Sequence, residues 1–148
     1  MPHIRFDGDL DPRGFWDDPP AITLSVPEEG IYIKYRETFL GAASEACLFR
    51  YVVAEGRLTQ HLQVVLARRR GGGWILKLDR TYPVLRTPGV KLLLGIMGGA
   101  LEERGLAVES ANLSDFLDKG RFYWMHRSDI RPPPGDADDD PLYREPPE

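Results

Sequence analysis

Residues 58–80 read LTQHLQVVLARRRGGGWILKLDR, and the fold depends on how this stretch is read. Leu58, Leu62, Val64 and Leu66 fall on one side at period two, with Gln60 as the polar exception. Thr59, His61 and Gln63 fall on the other side. Beyond the glycines, Trp74, Leu76 and Leu78 alternate against Ile75, Lys77 and Asp79. Such alternation is the signature of half-buried strands. Glycine supplies the positive φ that a tight connection needs, so Arg70 and Gly71–Gly73 predict a hairpin tip. A phosphate-cradling loop needs a helix after the glycines, because free amides at a helix start must face the anion. A strand follows here, and no lysine–hydroxyl pair follows the glycines.

Working outward, ACLFRYVVAE (46–55) is rich in β-formers, and Gly56 and Arg57 fit a tight turn into the run above. AITLSV (21–26) and IYIKYRE (31–37) alternate across an EEG turn and read as another hairpin. Residues 38–45 fit a short helix or a loop equally. TPGVKLLLGIMGGALEERG (87–105) carries the clearest helix signal. Thr87 suits the N-cap, Pro88 the first helical position and Gly105 the C-terminal cap. Gly95, Gly98 and Gly99 lie inside it, each costing about 1 kcal/mol relative to alanine, so a close approach to a sheet or a partner helix is expected to compensate. LAVESANL (106–113) holds a short strand. LSDFLDKG (113–120) reads as one helical turn capped by Ser114, and RFYWMHR (121–127) as a last strand with Phe122, Trp124 and His126 on one face.

The fold class expected is α+β: an antiparallel meander of four to six strands on one main helix, about 88–104. The organisation expected is an acidic arm (1–20), a single domain (21–131) and a disordered Pro/Asp-rich tail (132–148). Formal charge is −3 over the first stretch, +4 over the middle and −5 over the last. The tail has only Leu142 and Tyr143 as large apolar side chains, too few to offset its ordering entropy. A lone cysteine, Cys47, precludes an internal disulfide. The N-terminus lacks the apolar run of a signal peptide, and no stretch reaches a membrane span. A soluble cytoplasmic protein is expected.

Chemical motifs are sparse. Asp7, Asp9 and Asp11 in DGDLDP have a calcium-loop spacing, but Pro12 stands where the loop needs glycine and Asp18 where it needs a bidentate glutamate. His3, His61 and His126 are scattered, without metal-ligand spacing. Cys47 and His61 form a nucleophilic pair only if adjacent strands align them, and a buried core thiol is the plainer reading. An unrecognised enzyme or small-ligand-binding protein, with a pocket between sheet and helix near Cys47, His61 or His126, is a third reading. No catalytic residue, metal or cofactor is predicted.

Two features point to contact with another protein. The tail joins Asp138, Asp139 and Asp140 to Leu142–Tyr143, the composition of a short linear motif: charge steers and apolar side chains anchor. The helix face of Gly95, Gly98 and Gly99 is the other candidate contact, and it also admits a homodimer. The function expected is a non-catalytic protein-interaction module (adaptor, chaperone-like accessory factor or inhibitor). The alternative is nucleic-acid binding through Arg68, Arg69, Arg70, Lys77 and Arg80 around the hairpin.

Overall fold

The structure is a computed structural model and describes residues 1–41, 45–80 and 83–127. Its frame is a seven-stranded antiparallel sheet. The strands are β1 (His3–Asp7), β2 (Thr23–Val26), β3 (Ile31–Leu40), β4 (Ala46–Glu55), β5 (Leu58–Arg68), β6 (Trp74–Leu78) and β7 (Ala107–Ala111), in spatial order β2-β3-β4-β5-β6-β1-β7. Among the described residues three α-helices accompany it: α1 (Gly14–Asp17), α2 (Pro88–Glu103) and α3 (Phe116–Met125). The α+β class with an antiparallel sheet therefore holds. Among the described residues no helix is long and apolar enough to cross a membrane.

The hairpin reading of 58–80 is realised. Arg68 faces Trp74 across the turn, and the Arg69 amide donates to the Gly73 carbonyl at 2.9 Å. Gly71, Gly72 and Gly73 all take positive φ (84°, 108° and 81°). Gly73 is further constrained, because a Cβ there would lie 2.2 Å from the Phe6 carbonyl oxygen. Leu62, Val64, Leu66, Trp74, Leu76 and Leu78 are buried on one face with Ile33, Phe49, Tyr51 and Val53. Gln60 also has its explanation. Its amide nitrogen donates to the Leu85 carbonyl at 3.1 Å, and its amide oxygen accepts from the Leu85 N–H at 2.8 Å. The side chain thus mimics a strand partner and fixes the approach to α2. Gln60→Ala is expected to cost about 1 kcal/mol, read as a lower denaturant midpoint at unchanged slope.

Helix α2 begins as its sequence dictates. Thr87 Oγ1 accepts from the Val90 N–H at 3.4 Å, and Pro88 stands in the first turn. The Glu55 carboxylate at the end of β4 accepts from Thr87 Oγ1 and from the Gly89 N–H, placing negative charge at the helix's positive end. One side of α2 lies on the buried sheet face, in contact with β1, β3, β4, β6 and β7; α3 covers another side. That double cover explains a helix buried on nearly every side.

Three expectations are corrected. First, the sheet of the described residues has seven strands rather than the four to six expected, because residues 3–7, in the stretch read as an acidic arm, add one. β1 lies between β6 and β7, with Ile4 opposite Leu76 and Phe6 opposite Trp74, both fully buried. Second, residues 121–127 are not a strand; most of them belong to α3, so α2 is not the one main helix. Phe116, Leu117, Gly120, Tyr123 and Trp124 recur at helical spacing on one stripe, and Tyr123 and Trp124 were read at the wrong period. His126 stacks on Phe122 at i+4 (ring centroids 4.4 Å), off the Trp124 side. Third, Ser114 does not cap this helix; it takes φ 55°, and Asp115 holds the cap position. Residues 38–40 continue β3, while 42–44 fall outside the described residues.

Candidate functional site

The glycine face of α2 is occupied from within the chain. A Cβ on Gly95 would lie 2.1 Å from the Phe116 carbonyl oxygen, and one on Gly120 would lie 2.0 Å from the Gly95 carbonyl carbon. Gly99 meets the Trp124 Cβ, and Gly98 meets Ile4 and Leu117. The glycines therefore let α2 and α3 touch backbone to backbone, and this face is not open to a second protein. Polar clasps lock the pair. Arg121 Nε meets Glu102 at 2.7 Å, Trp124 Nε1 donates to Glu103 at 3.0 Å, and Arg127 reaches Glu103 at 3.3 Å.

The arginine tract is divided rather than massed. Arg68 pairs with Asp9 at 3.1 Å and lies over the Trp74 ring, whereas Arg69 pairs with Glu109 of β7. Arg70 and Arg80 are exposed, and Lys77 is half-buried on the sheet face opposite α2. The Asp-rich loop meets the same cations. Asp9 accepts from the Leu10 N–H and from Arg68, which together hold its carboxyl below the usual range. Asp11 is bound by Arg13 in the same way. Among the described residues no group of three or more His, Cys, Asp or Glu side chains converges for a metal.

Cys47 and His61 do not meet. Cys47 faces the core opposite Leu66, while His61 stands opposite Val52 on the other sheet face and is exposed. Burial pushes the Cys47 thiol up from 9.0 to about 11. The native thiol is therefore protonated at pH 8 and should stay unlabelled by thiol reagents until the protein unfolds. The linkage has a definite sign. Between pH 9 and 11 the unfolded chain gives up this proton and the folded one keeps it, so stability falls as pH rises through that window. Cys47→Ser should remove that part of the alkaline slope in a pH series of denaturation midpoints. Leu142, Tyr143, Asp138, Asp139 and Asp140 lie outside the described residues.

What the fold does assemble is a groove along the free edge of β2. The pairing of β2 with β3 sets Leu24 opposite Ile33 and Val26 opposite Ile31, and the Tyr35 amide donates to the Ile22 carbonyl. In an antiparallel ladder the residues between such pairs point their amides and carbonyls the other way. The backbone groups of Thr23 and Ser25 therefore face outward, along a rim beyond which no strand lies among the described residues. Beside this rim runs a cleft of about 290 Å³. Ile22, Leu24 and Ile96 form its apolar floor, and Tyr123, Trp124 and Arg127 of the α3 end form its far wall. The wall is braced, since Trp124 packs on Gly99, donates to Glu103 and carries the Arg127 guanidinium 4.0 Å from its ring centroid. A second hollow of about 450 Å³ opens on the other side of Trp124 and Arg127, next to exposed Met125. Phe122 is also exposed on this helix.

Charged side chains stand near both ends of β2. Arg127 stands by Ala21 and Ile22, where β2 begins. Glu28 and Glu29 follow Val26, where β2 ends, and the start of α3 (Phe116, Lys119) lies near Glu29. α3 thus runs opposite to β2. Burial, then the charges of Glu29 and Glu28, raise the Tyr123 hydroxyl above its ordinary value.

The sequence signal for this site was present in part. TLSV alternates between Pro20 and Pro27, and short strands bracketed by proline belong at sheet edges. The wall was hidden by the strand reading of 121–127. Comparison of the chain with protein-family models, with curated proteins and with solved structures finds no match.

Proposed function

We propose that this chain is a non-catalytic protein-interaction module that takes an extended segment of its partner along β2, against the end of α3. The observation that supports this reading most is the free hydrogen-bonding rim at Thr23 and Ser25 beside an apolar, aromatic-walled groove. Strand addition uses both parts: the main chain supplies affinity, and alternate side chains entering the groove supply specificity. An adaptor, a chaperone-like accessory factor and an inhibitor of another protein all work in this way. A second copy of the chain is one partner the reading admits. Nucleic acid is less well supported, because two of the three consecutive arginines already serve carboxylates.

The test uses a proline at the rim. The Ser25 amide points away from β3, so Ser25→Pro removes an outward donor and spares the β2–β3 ladder. Affinity capture from a native extract, with and without nuclease, is run with the full chain and with this variant. A stoichiometric protein held by the former and lost by the latter is the expected result. Equal recovery by both refutes the rim as the contact, and recovery that collapses with nuclease moves the function to the arginine hairpin.

A further inference from the structure

We infer that the segment received along β2 is a partner's C-terminus. It lies antiparallel to β2, with its terminal carboxylate on Arg127 and the side chains of its last and third-last residues, both apolar, in the cleft. This rests on the reading of β2 as a strand-addition site and names the chemistry of the occupant. Charge, alternation and size carry it.

The charge is one-sided. Among the described residues the cleft's lining holds a single ionised side chain, Arg127. Because α3 runs opposite to β2, this arginine stands by Ala21 and Ile22, where β2 begins. Its own carboxylate partner, Glu103, faces the second hollow on the other side of Trp124. Arg127 Nη2 reaches Glu103 at 3.3 and 3.4 Å, and Nη1 donates to the Trp124 carbonyl at 2.8 Å. A guanidinium has five N–H donors, and this side chain keeps 48% exposure. The arginine is held from one side and has donors left for an anion that arrives from the other.

Alternation sets the register. In an antiparallel ladder opposed residues share a face, and successive residues alternate. Thr23 and Ser25 turn their amides and carbonyls outward. They bond the partner's second-last and fourth-last residues when its last residue stands opposite Ile22. The last and third-last side chains then enter the cleft over Ile22 and Leu24, toward Tyr123 and Trp124. The same rule excludes an internal acidic residue as the anion. Opposite Ile22 it would be driven onto the apolar floor, and opposite Ala21 it would point to the face away from Arg127. A carboxylate that ends the main chain continues along the rim instead. A parallel segment would carry it to the Val26 end, where the cleft's lining holds no cation.

The rim and the cleft fit a chain end in size. The Ala21 and Ile22 amides bond back to the Pro19 and Pro20 carbonyls at 2.8 and 3.0 Å, so a partner running past Ile22 has no ladder to join. The cleft's volume of about 290 Å³ is less than one turn of helix, a cylinder about 10 Å across and about 5.4 Å long. It takes the side chains of an extended segment.

The experiment screens the full-length protein against two pools of seven-residue peptides randomised at every position, one ending in the free acid and one in the amide. Enrichment from the acid pool alone is expected, with apolar residues in the last and third-last positions. One enriched peptide, made as acid and as amide, is then titrated into wild type and Arg127→Gln. The acid should bind wild type about tenfold or more tightly than the amide. Arg127→Gln should bring that ratio to about one, while the amide binds both proteins alike and so shows the variant's cleft intact. Equal enrichment of one sequence from both pools overturns the inference and leaves the groove reading standing. An acid-to-amide ratio that survives Arg127→Gln overturns it too, as does no enrichment from either pool. The Ser25→Pro capture decides the groove reading separately.

Discussion

Replacing Phe6 by alanine is expected to cost about 3–5 kcal/mol, a large share of the roughly 5–15 kcal/mol that holds a domain of this kind folded. Phe6 is fully buried, opposite Trp74 in β6 and Val108 in β7. Truncating it removes the side chain that joins these strands and leaves a cavity that closely packed neighbours cannot close. The effect also discriminates between two architectures. In an arm that merely rests on a folded body, residue 6 tolerates truncation at little cost. In a strand between β6 and β7 it does not. A denaturant midpoint that falls steeply at unchanged slope is the expected outcome; a shift below about 1 kcal/mol would show that β1 is not part of the cooperative core.

Gly120→Ala is expected to cost about 3 kcal/mol, although alanine is the better helix former by about 1 kcal/mol. The added methyl would lie 2.0 Å from the Gly95 carbonyl carbon and 2.3 Å from the Ile96 nitrogen. Both are backbone atoms of a helix clamped on several sides, so α3 must lift away from α2. Gly98→Ala is the internal control. Its methyl would meet the ends of the Ile4 and Leu117 side chains, at 2.8 and 3.1 Å, and such ends can swing aside. The helix-propensity gain then offsets the crowding, and Gly98→Ala should be within about 1 kcal/mol of wild type. Chemical unfolding of the three proteins side by side measures both effects. Equal costs for the two alanines would contradict the backbone-to-backbone crossing. Because α3 carries the groove wall, Gly120→Ala should weaken partner capture as well.

Most of the sheet was legible from period-two alternation between glycine turns. β4 and β5 match their expected runs, and the helix start at Thr87–Pro88 follows from local capping chemistry. What escaped was set by tertiary packing. The five residues of β1 alternate correctly, Ile4 and Phe6 against Arg5 and Asp7, but the acid and proline that follow mask so short a run. Only the first turn of α3 was read as helix, because aromatic residues favour strands, and a window opening at Arg121 cut the stripe that begins at Phe116 and Leu117. Gly95, Gly98 and Gly99, inside α2, were expected to mark a close approach, and they do. The partner proved to be α3, a helix the strand reading of 121–127 had cut short. Much of the groove inherits that error, since Tyr123, Trp124 and Arg127 converge on β2 only when 116–125 is helical.

The most direct measurement of the binding account is site-resolved amide exchange of the full chain with and without the captured partner. Strand addition predicts that Thr23 and Ser25 slow markedly on complex formation while Leu24, already bonded to β3, changes little. Protection confined to the arginine hairpin or the sheet face opposite α2, with Thr23 and Ser25 unchanged, would contradict it.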